Sequence, residues 1–523
     1  MSKMLKSTSL MGAATLISRV LGLVREMVFA HLFGAGVVKG AFDIAYMVPN
    51  LFRRLLGEGA LTAAFIPIFK GKLETEERQE VWRSANAVIS GLVVVVSALI
   101  GLVLLGVGVA IGVGEFPEKT DLMLRLLMVL FPYVGFICVA AIFMGMLNAQ
   151  GSFFVPALAP VLLNLIVIFS ALFLIPGESE AKSHGVFVIA FAVLFAGFAQ
   201  MAYMLPSLIK RGYRYRWVRP WGESVTKEVV QKMIPGTIGV AAFQINMMVT
   251  MLFAFAIGEG IVASFNYAVR LMEFPQGVFG VSLCTFMLPT LSGIAAKKEY
   301  GAFSKTLNRG LQFLIYVNFV VIGVTFVLAE PITRLILERG AFSVLDTANT
   351  SGALRYLAPS LIGYSFCGLL ARAFYALGDV RTPMIISVVS LAVNLLIALL
   401  LVPPFKQNGL ALANTLSSLG QAGLLMRALR IKLNGRWNPF EGLKPALVCA
   451  PIAAGAAGLV WLSSQWLAPL EIEWELGRRL IDVFGPMVVG VGVYALVTAW
   501  MPMEAPRALR AKILGRLARK GSH

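Results

Sequence analysis

The chain has 523 residues, of which 58% are hydrophobic and 14% are charged, and its formal net charge is +18. A soluble protein carries about 25% charged residues, so this composition excludes an ordinary soluble domain. Many apolar runs reach the roughly 20 residues with which a helix crosses the hydrocarbon core of a bilayer. The sequence therefore predicts an all-α polytopic membrane protein.

The apolar runs predict about fourteen transmembrane helices. Their approximate cores are 8–33, 41–69, 86–113, 122–148, 154–176, 185–208, 230–257, 260–292, 311–330, 347–377, 382–403, 408–429, 445–467 and 480–502. The second and eighth spans are long and carry charges, so we expect each to tilt or bend. The residues expected to bend them are Pro49, Gly57, Gly59, Pro275 and Gly277.

Basic residues are concentrated in alternate loops. The loops on one side hold clusters such as Lys210, Arg211 and Arg214. The loops on the other side hold few, among them Lys39 and Lys119. Because Lys and Arg mark the cytoplasmic side of a membrane protein, both termini are predicted to be cytoplasmic.

The sequence repeats itself after about 227 residues. One copy of the recurring spacing is Gly151, Pro156 and Pro176, and the other is Gly378, Pro383 and Pro403. FGAGVVKGAFDIAY (33–46) likewise resembles IGEGIVASFNYAV (257–269), so the charged second and eighth spans are equivalent. Each half has six spans and therefore the same orientation, as in the parallel repeats of transporters, whose site lies at the repeat interface.

The repeat and the spans together predict the domain organisation. It consists of an N-lobe at 1–208, a basic cytoplasmic linker at 209–227, a C-lobe at 228–430, two extra helices at 444–502 and a basic cytoplasmic tail at 503–523. The tail can form a short basic amphipathic helix, which favours a position on the inner membrane surface.

Charged residues interrupt the first, second and eighth spans. They are Arg19, Arg25, Glu26, Arg53, Arg54, Glu58, Arg270 and Glu273. A charge at the bilayer centre costs at least about 2.5–3.5 kcal/mol, so such residues normally face a water-filled cavity or a partner. Arginines outnumber glutamates here, and a guanidinium binds phosphate oxygens in a planar, bidentate arrangement. The pattern predicts a cationic cavity for a phosphate-like or carboxylate-like anion.

Structural roles for the same charges stay open. Arg54 and Glu58 are four residues apart, so they can form an ion pair within one helix. Arg270 and Glu273 are three residues apart and can also pair. Arg19 can instead extend its charge to a membrane interface.

The sequence offers no chemistry typical of an enzyme. The three histidines have no metal-ligand spacing, and neither a nucleophile motif nor a Gly-rich phosphate loop is present. We therefore predict a non-enzyme without catalytic residues, metal ligands or a cofactor. Nucleic-acid binding is not expected, because the basic residues lie in loops where they set the topology and contact anionic lipids.

Four segments resemble the MurJ (MviN) family of bacterial lipid II flippases, in the multidrug/oligosaccharidyl-lipid/polysaccharide (MOP) exporter superfamily. They are SRVLGLVRE (18–26), PNLFRRLLGEGALTAAFIPI (49–68), GSFFVPALAPVLLN (151–164) and YAVRLMEFPQGVFGVSL (267–283). The resemblance implies two six-helix lobes, two C-terminal helices whose groove takes a polyprenyl tail, and a central cationic cavity for the headgroup. The family's functional residues in the first, second and eighth helices fall on Arg19, Arg25, Arg53, Arg270 and Glu273.

The chain departs from the family at several charged positions. Glu26 stands where the family often has Asp, and Gly40 stands where some members are acidic, with Asp43 three residues on. Val269 precedes the arginine of the eighth helix where Asp is common. Asn394 falls where some members have an intramembrane Asp tied to sodium, so coupling to a monovalent cation stays open.

The resemblance implies a flippase that moves the lipid II headgroup from the cytoplasmic to the outer leaflet of the inner membrane by alternating access, for cell wall synthesis. Each charge that crosses the membrane field is worth about 2.3 kcal/mol per 100 mV, so the membrane potential favours export of an anion. The expected partners are lipid II, membrane lipids and cell-wall synthesis enzymes. The alternatives are export of another lipid-linked oligosaccharide or a drug, and a non-transporting scaffold for cell-wall enzymes.

Overall fold

The structure is a computed structural model that describes residues 2–55, 60–175, 182–467 and 474–500. Within these ranges its regular secondary structure is helical. By its internal contacts the chain forms two compact units, Met1–Ala263 with Arg339–Phe342 and Ser264–Glu338 with Ser343–His523.

The first unit contains the helices of the first half of the chain and the helix that follows them. They are α1 (Ser2–Phe33), α2 (Val37–Phe52), α3 (Ala60–Thr75), α4 (Arg78–Val113), α5 (Glu118–Leu130), α6 (Tyr133–Ala149), α7 (Phe154–Phe173), α8 (Lys182–Ile209) and α9 (Ser224–Ile257). In this unit α1 packs on α7, α7 on α8, and α2 on both α5 and α9. These packings position the charged residues of α1 and α2.

The second unit begins within α10 (Ile261–Pro275). The helices that follow are α11 (Ser282–Ala296), α12 (Tyr300–Leu337), α13 (Val344–Leu357), α14 (Ser360–Ala376), α15 (Arg381–Lys432), α16 (Pro439–Leu443), α17 (Ala446–Leu467) and α18 (Glu475–Thr498). Its main core is built from α11, α12, α14 and α15 and includes the buried Trp437, whose Nε1 donates to Asn308 Oδ1 at 2.8 Å.

The helices agree with the predicted spans. Among the described residues, seven helices are long and apolar enough to cross a membrane, or nine if the bent pairs α5–α6 (41°) and α13–α14 (45°) each form one span. α15 holds two predicted spans on either side of Lys406, whose φ of 50° and ψ of −127° interrupt the helix. The charged spans coincide with α1, with α2 and α3, and with α10 and α11. The all-α polytopic fold class is confirmed, and the helices are consistent with fourteen spans.

The two charged spans that were expected to bend both contain π-helical turns. A π turn at residues 53–55 follows α2, and a π-helix at Gln276–Val281 separates α10 from α11. Pro275 lacks a backbone donor and ends α10, and Gly277 lies in the π-helix that follows. The predicted tilt or bend of the two spans stays a prediction. Pro49 lies inside α2, whereas Gly57 and Gly59 lie outside the described residues.

The largest difference between the two compact units and the lobes of the sequence repeat concerns α9. α9 packs on α2, α3 and α4 and therefore falls in the first unit, although the repeat assigns 228–430 to a C-lobe. The predicted lobe boundaries rest on the repeat and stay a prediction. α17 and α18, which lie outside the repeat, pack on α12 of the second unit.

Candidate anion-binding residues within the membrane

Arg25 is held in place by a neighbouring helix. Its Nη1 donates to Asn164 Oδ1 of α7 at 3.1 Å, and its Nη2 donates to Glu26 Oε1 at 2.9 Å. Asn164 in turn donates through Nδ2 to the backbone oxygen of Ser18 at 3.2 Å. One amide side chain therefore fixes both the guanidinium of Arg25 and the backbone of α1, in keeping with the small separation of α1 and α7.

The carboxylate of Glu26 is shared with a second cation, Lys39. Glu26 and Lys39 are both buried, and the Nζ of Lys39 lies 3.6 Å from Glu26 Oε2. The same Nζ lies 2.5 Å from Oδ1 of Asp43, four residues along α2. The placement of Lys39 in an outer loop by the sequence analysis is wrong, because the structure places this residue in the first turn of α2, only 3% exposed.

Phe29 packs beside both buried cations. The centroid of its ring lies 5.9 Å from Cζ of Arg25 and 5.7 Å from Nζ of Lys39. A cation within about 6 Å of an aromatic face is attracted by the ring quadrupole. The ring therefore stabilises both charges while it fills the apolar space around them.

The four charged side chains of this cluster alternate in sign. Arg25 and Lys39 are cationic, and Glu26 and Asp43 are anionic, so the set is neutral as a whole. A buried charge is tolerated when it is paired and hydrogen-bonded, whereas the loss of one partner is strongly destabilising. We call Arg25, Glu26, Lys39 and Asp43 the buried charge cluster.

The arginines that follow α2 have different surroundings. Nε of Arg53 donates to Asn50 Oδ1 at 2.7 Å, and the Arg53 side chain is partly buried at the π turn. Arg54 and Arg19 are exposed. The predicted pair of Arg54 with Glu58 cannot be located, because Glu58 lies outside the described residues.

The second unit carries an exposed ion pair on the last turns of α10. Nη1 of Arg270 lies 2.8 Å from Oε2 of Glu273, which confirms the pairing expected from their spacing. The side chains are 48% and 51% exposed, respectively. The pair directly precedes the π-helix, and such turns occur frequently at functional sites.

The position tied to sodium coupling in the sequence analysis is a neutral hydrogen-bonded site. Nδ2 of Asn394 donates to Oγ of Ser417 at 3.2 Å, and Asn394 is buried. Among the residues that the structure describes, no cluster of three or more His, Cys, Asp or Glu residues could hold a metal ion.

The chain shares its fold with solved structures of other proteins. The chain superimposes on "Lipid II flippase MurJ, inward closed conformation" with a TM-score of 0.76 and 23% identity, covering 94% of this chain and 98% of that one. It superimposes on an inward-facing multidrug resistance MATE family transporter of the MOP superfamily with a TM-score of 0.63 and 15% identity, covering 82% and 98%.

Sequence comparison gives the family. The model of the family "Lipid II flippase MurJ" matches residues 29–474. A "Probable lipid II flippase MurJ" of Bdellovibrio bacteriovorus is 32% identical over 504 residues, which cover 94% of each chain. A "Lipid II flippase MurJ" of Burkholderia cenocepacia is 32% identical over 470 residues, which cover 88% of this chain and 89% of the relative. The chain therefore belongs to the MurJ family of lipid II flippases, as its four motif segments predicted.

Proposed function

We propose that this chain moves the headgroup of lipid II from the cytoplasmic to the outer leaflet of the bacterial inner membrane by alternating access, and so supplies cell wall synthesis. The observation that carries the proposal is the family match over residues 29–474. Transport of this kind breaks no covalent bond, so it needs neither a catalytic residue nor a cofactor. Lipid II carries a diphosphate between a polyprenol and a disaccharide-pentapeptide.

The intramembrane arginines are the proposed ligands of that diphosphate. A guanidinium binds phosphate oxygens through two parallel hydrogen bonds, which a carboxylate-paired arginine can redirect to a ligand. We assign this role to Arg19, Arg25, Arg53 and Arg270. Their supporting charges are Glu26, Arg54, Glu58 and Glu273.

Arg270 is the residue on which the assignment depends most. Its ion pair with Glu273 is about half exposed, and exposed pairs contribute only about 0–1 kcal/mol. A diphosphate can therefore replace the carboxylate at small cost. Arg53 is partly buried at the π turn after α2, and its Nε donates to Asn50 Oδ1.

The membrane potential is the proposed source of energy. Each negative charge that leaves a negative interior gains about 2.3 kcal/mol per 100 mV, and the return of an empty cationic site inward is also favourable. Coupling to a monovalent cation is not needed in this scheme. If dissipation of the potential in intact cells left the rate of flipping unchanged, the potential would not be the driving force.

The two C-terminal helices are proposed to guide the polyprenyl tail. Tyr494 of α18 donates its hydroxyl to the backbone oxygen of Tyr316 at 2.8 Å, which fastens α18 to α12. The same helices expose Trp461, Trp466 and Val488, which suits contact with membrane lipids or an isoprenoid chain. Both termini are proposed to be cytoplasmic, and cell-wall synthesis enzymes are proposed as partners.

The proposal is tested by replacement of the resident lipid II flippase in a bacterium depleted of it. Wild-type chain, Arg270→Ala and Arg125→Ala are expressed at matched levels, and lipid II exposed on the outer leaflet is measured. Arg125 is the control, because it is 55% exposed and forms an intrahelical pair with Asp121 at 2.7 Å, as Arg270 does with Glu273. We expect exposure to be restored by the wild type and by Arg125→Ala but lost in Arg270→Ala.

Two other outcomes would change the proposal. Failure of well-folded wild-type chain to expose lipid II would favour export of a different lipid-linked oligosaccharide or a drug. Equal rescue by all three proteins would support the flippase function and show that Arg270 is not essential for it. Tolerance of every arginine substitution, together with rescue that is independent of transport, would favour a scaffold for cell-wall enzymes.

A further inference from the structure

Two carboxylates of low exposure, one on α1 and one on α2, lie beside the ammonium group of Lys39. Nζ of Lys39 is 2.5 Å from Oδ1 of Asp43 and 3.6 Å from Oε2 of Glu26. The Lys39 side chain is 3% exposed, and the carboxylates are 7% exposed at Glu26 and 12% at Asp43. These values place a positive charge between two acids in a location that solvent barely reaches.

A cation is required at this place on electrostatic grounds. Ionised carboxylates are costly to bury unless cations or hydrogen-bond donors compensate them. Arg25 donates to Oε1 of Glu26. The ammonium of Lys39 lies near the second oxygen of Glu26 and near the carboxylate of Asp43. Carboxylate oxygens on two adjacent helices are also ligands suited to a hard metal cation.

We propose that Lys39 is a tethered counter-cation, whose ammonium occupies the place that a monovalent metal ion would otherwise take between Glu26 and Asp43. This inference rests on the proposed lipid II transport and concerns its ion dependence. The lysine ammonium is a compact point charge, comparable in this respect to a monovalent ion. Because it is covalently attached to α2, its effective concentration at the carboxylates far exceeds that of an ion in solution.

The tethered charge has a consequence for transport. A bound metal ion can exchange with either side of the membrane, whereas the ammonium of Lys39 stays with the protein through every conformational state. The first unit therefore keeps its charge balance without taking an ion from solution. The rate of flipping by the wild-type chain should then be the same in every monovalent salt.

Removal of the ammonium should convert the place into an ion site. Lys39→Met retains an unbranched side chain of similar length but removes one positive charge from the cluster. A monovalent metal ion can then neutralise the carboxylates, so the variant should depend on that ion. Lys39→Met with Asp43→Asn removes one charge of each sign and restores neutrality, so the double variant should again work without an added ion.

The test uses full-length protein in proteoliposomes that contain lipid II, with flipping measured in sodium, lithium or choline chloride. We expect equal rates for wild type in all three salts. In choline we expect Lys39→Met to be slower by at least about tenfold, because loss of one partner of a buried ion pair is strongly unfavourable. Sodium or lithium should restore its rate in a saturable manner, and the double variant should be active in choline.

A binding measurement gives a readout that does not depend on flipping. Purified Lys39→Met should bind radioactive sodium beyond the amount bound by wild type and by the double variant. The inference is overturned if Lys39→Met flips lipid II at the normal rate in choline or if it gains no sodium binding. It is also overturned if wild type itself needs sodium or lithium to reach its full rate. Loss of activity in both variants in every salt would likewise overturn it and indicate a structural role. A folded wild type that flips no lipid II would instead contradict the proposed function, while the sodium measurement would still decide the role of Lys39.

Discussion

The charged residues of the two halves differ in their surroundings, although the repeat makes α2 and α10 equivalent. In the first unit, the side chains of Arg25 and Lys39 are 15% and 3% exposed and are bound to the carboxylates beside them. In the second unit, the side chains of Arg270 and Glu273 are about half exposed. Thus α2 contributes Lys39 and Asp43 to a neutral cluster of low exposure, whereas the equivalent helix α10 carries an accessible ion pair.

The difference in exposure separates ion pairs that are costly to break from ion pairs that are broken at small cost. Breaking a buried pair leaves an uncompensated charge in a low-dielectric environment, which costs about 3–5 kcal/mol. Breaking an exposed pair costs about 0–1 kcal/mol. We infer that Glu26, Lys39 and Asp43 mainly fix α1 and α2. Arg270, one of the proposed diphosphate ligands, can instead exchange its partner for an anion.

The largest expected effect is that of Glu26→Gln. The substitution removes the negative charge that Arg25 and Lys39 share, so we expect a loss of about 3–5 kcal/mol and a clearly lower Tm of the purified protein. The matched control is Glu273→Gln, which should shift stability by less than about 1 kcal/mol. Equal Tm values for the two variants would show that the carboxylates of the two units contribute equally to stability.

A smaller effect is expected from Asn164→Ala. Hydrogen bonds to charged groups contribute about 1.5–3 kcal/mol, and Asn164 accepts one from the Arg25 guanidinium. The control is Asn394→Ala, whose amide donates to the neutral Ser417 hydroxyl and whose loss should cost about 0.5–1.5 kcal/mol. Thermal unfolding of both variants checks this, and a smaller loss in Asn164→Ala than in Asn394→Ala would show that Asn164 does not stabilise Arg25.

The smallest effect is expected at a charge outside the membrane spans. Asp379 lies in the turn before α15, where hydrogen bonds from Lys432 and from the backbone of Thr382 lower the pKa of its carboxyl from 3.8 to about 2. A depressed carboxyl pKa stabilises the folded state above the ordinary pKa, and this contribution is lost as the pH falls from about 4 to about 2. The Tm of wild type should decrease in this window more than that of Asp379→Asn. The same dependence of Tm on pH in both proteins would show that the ion pair of Asp379 contributes nothing measurable to stability.

Local patterns in the sequence were sufficient for part of this picture. The spans could be predicted because apolar runs of about 20 residues are needed to cross a bilayer. The contact between Arg270 and Glu273 could also be predicted, since residues three apart are neighbours on a helix surface. Pro275 indicated the irregularity after α10 because it lacks a backbone donor.

The buried charge cluster could be predicted only in part. Lys39 follows the glycines of the turn after α1, so it resembles a loop residue; its spacing of four from Asp43 was the available signal for a helix. The bond from Arg25 to Asn164 joins residues 139 positions apart, and it depends on the packing of α1 on α7. No local period in the sequence indicates such a contact, so the bond between Arg25 and Asn164 could be identified only from the structure.

The most direct test of the central claim is the affinity of the purified protein for undecaprenyl diphosphate, measured together with Tm for wild type, Arg270→Ala and Arg125→Ala. We expect Arg270→Ala to raise Kd by about tenfold or more, because it removes a proposed charge-assisted contact to the diphosphate, while its Tm stays close to that of wild type. Arg125→Ala should change neither value. An unchanged Kd in Arg270→Ala, or a loss of affinity that merely follows a large fall in Tm, would contradict the account.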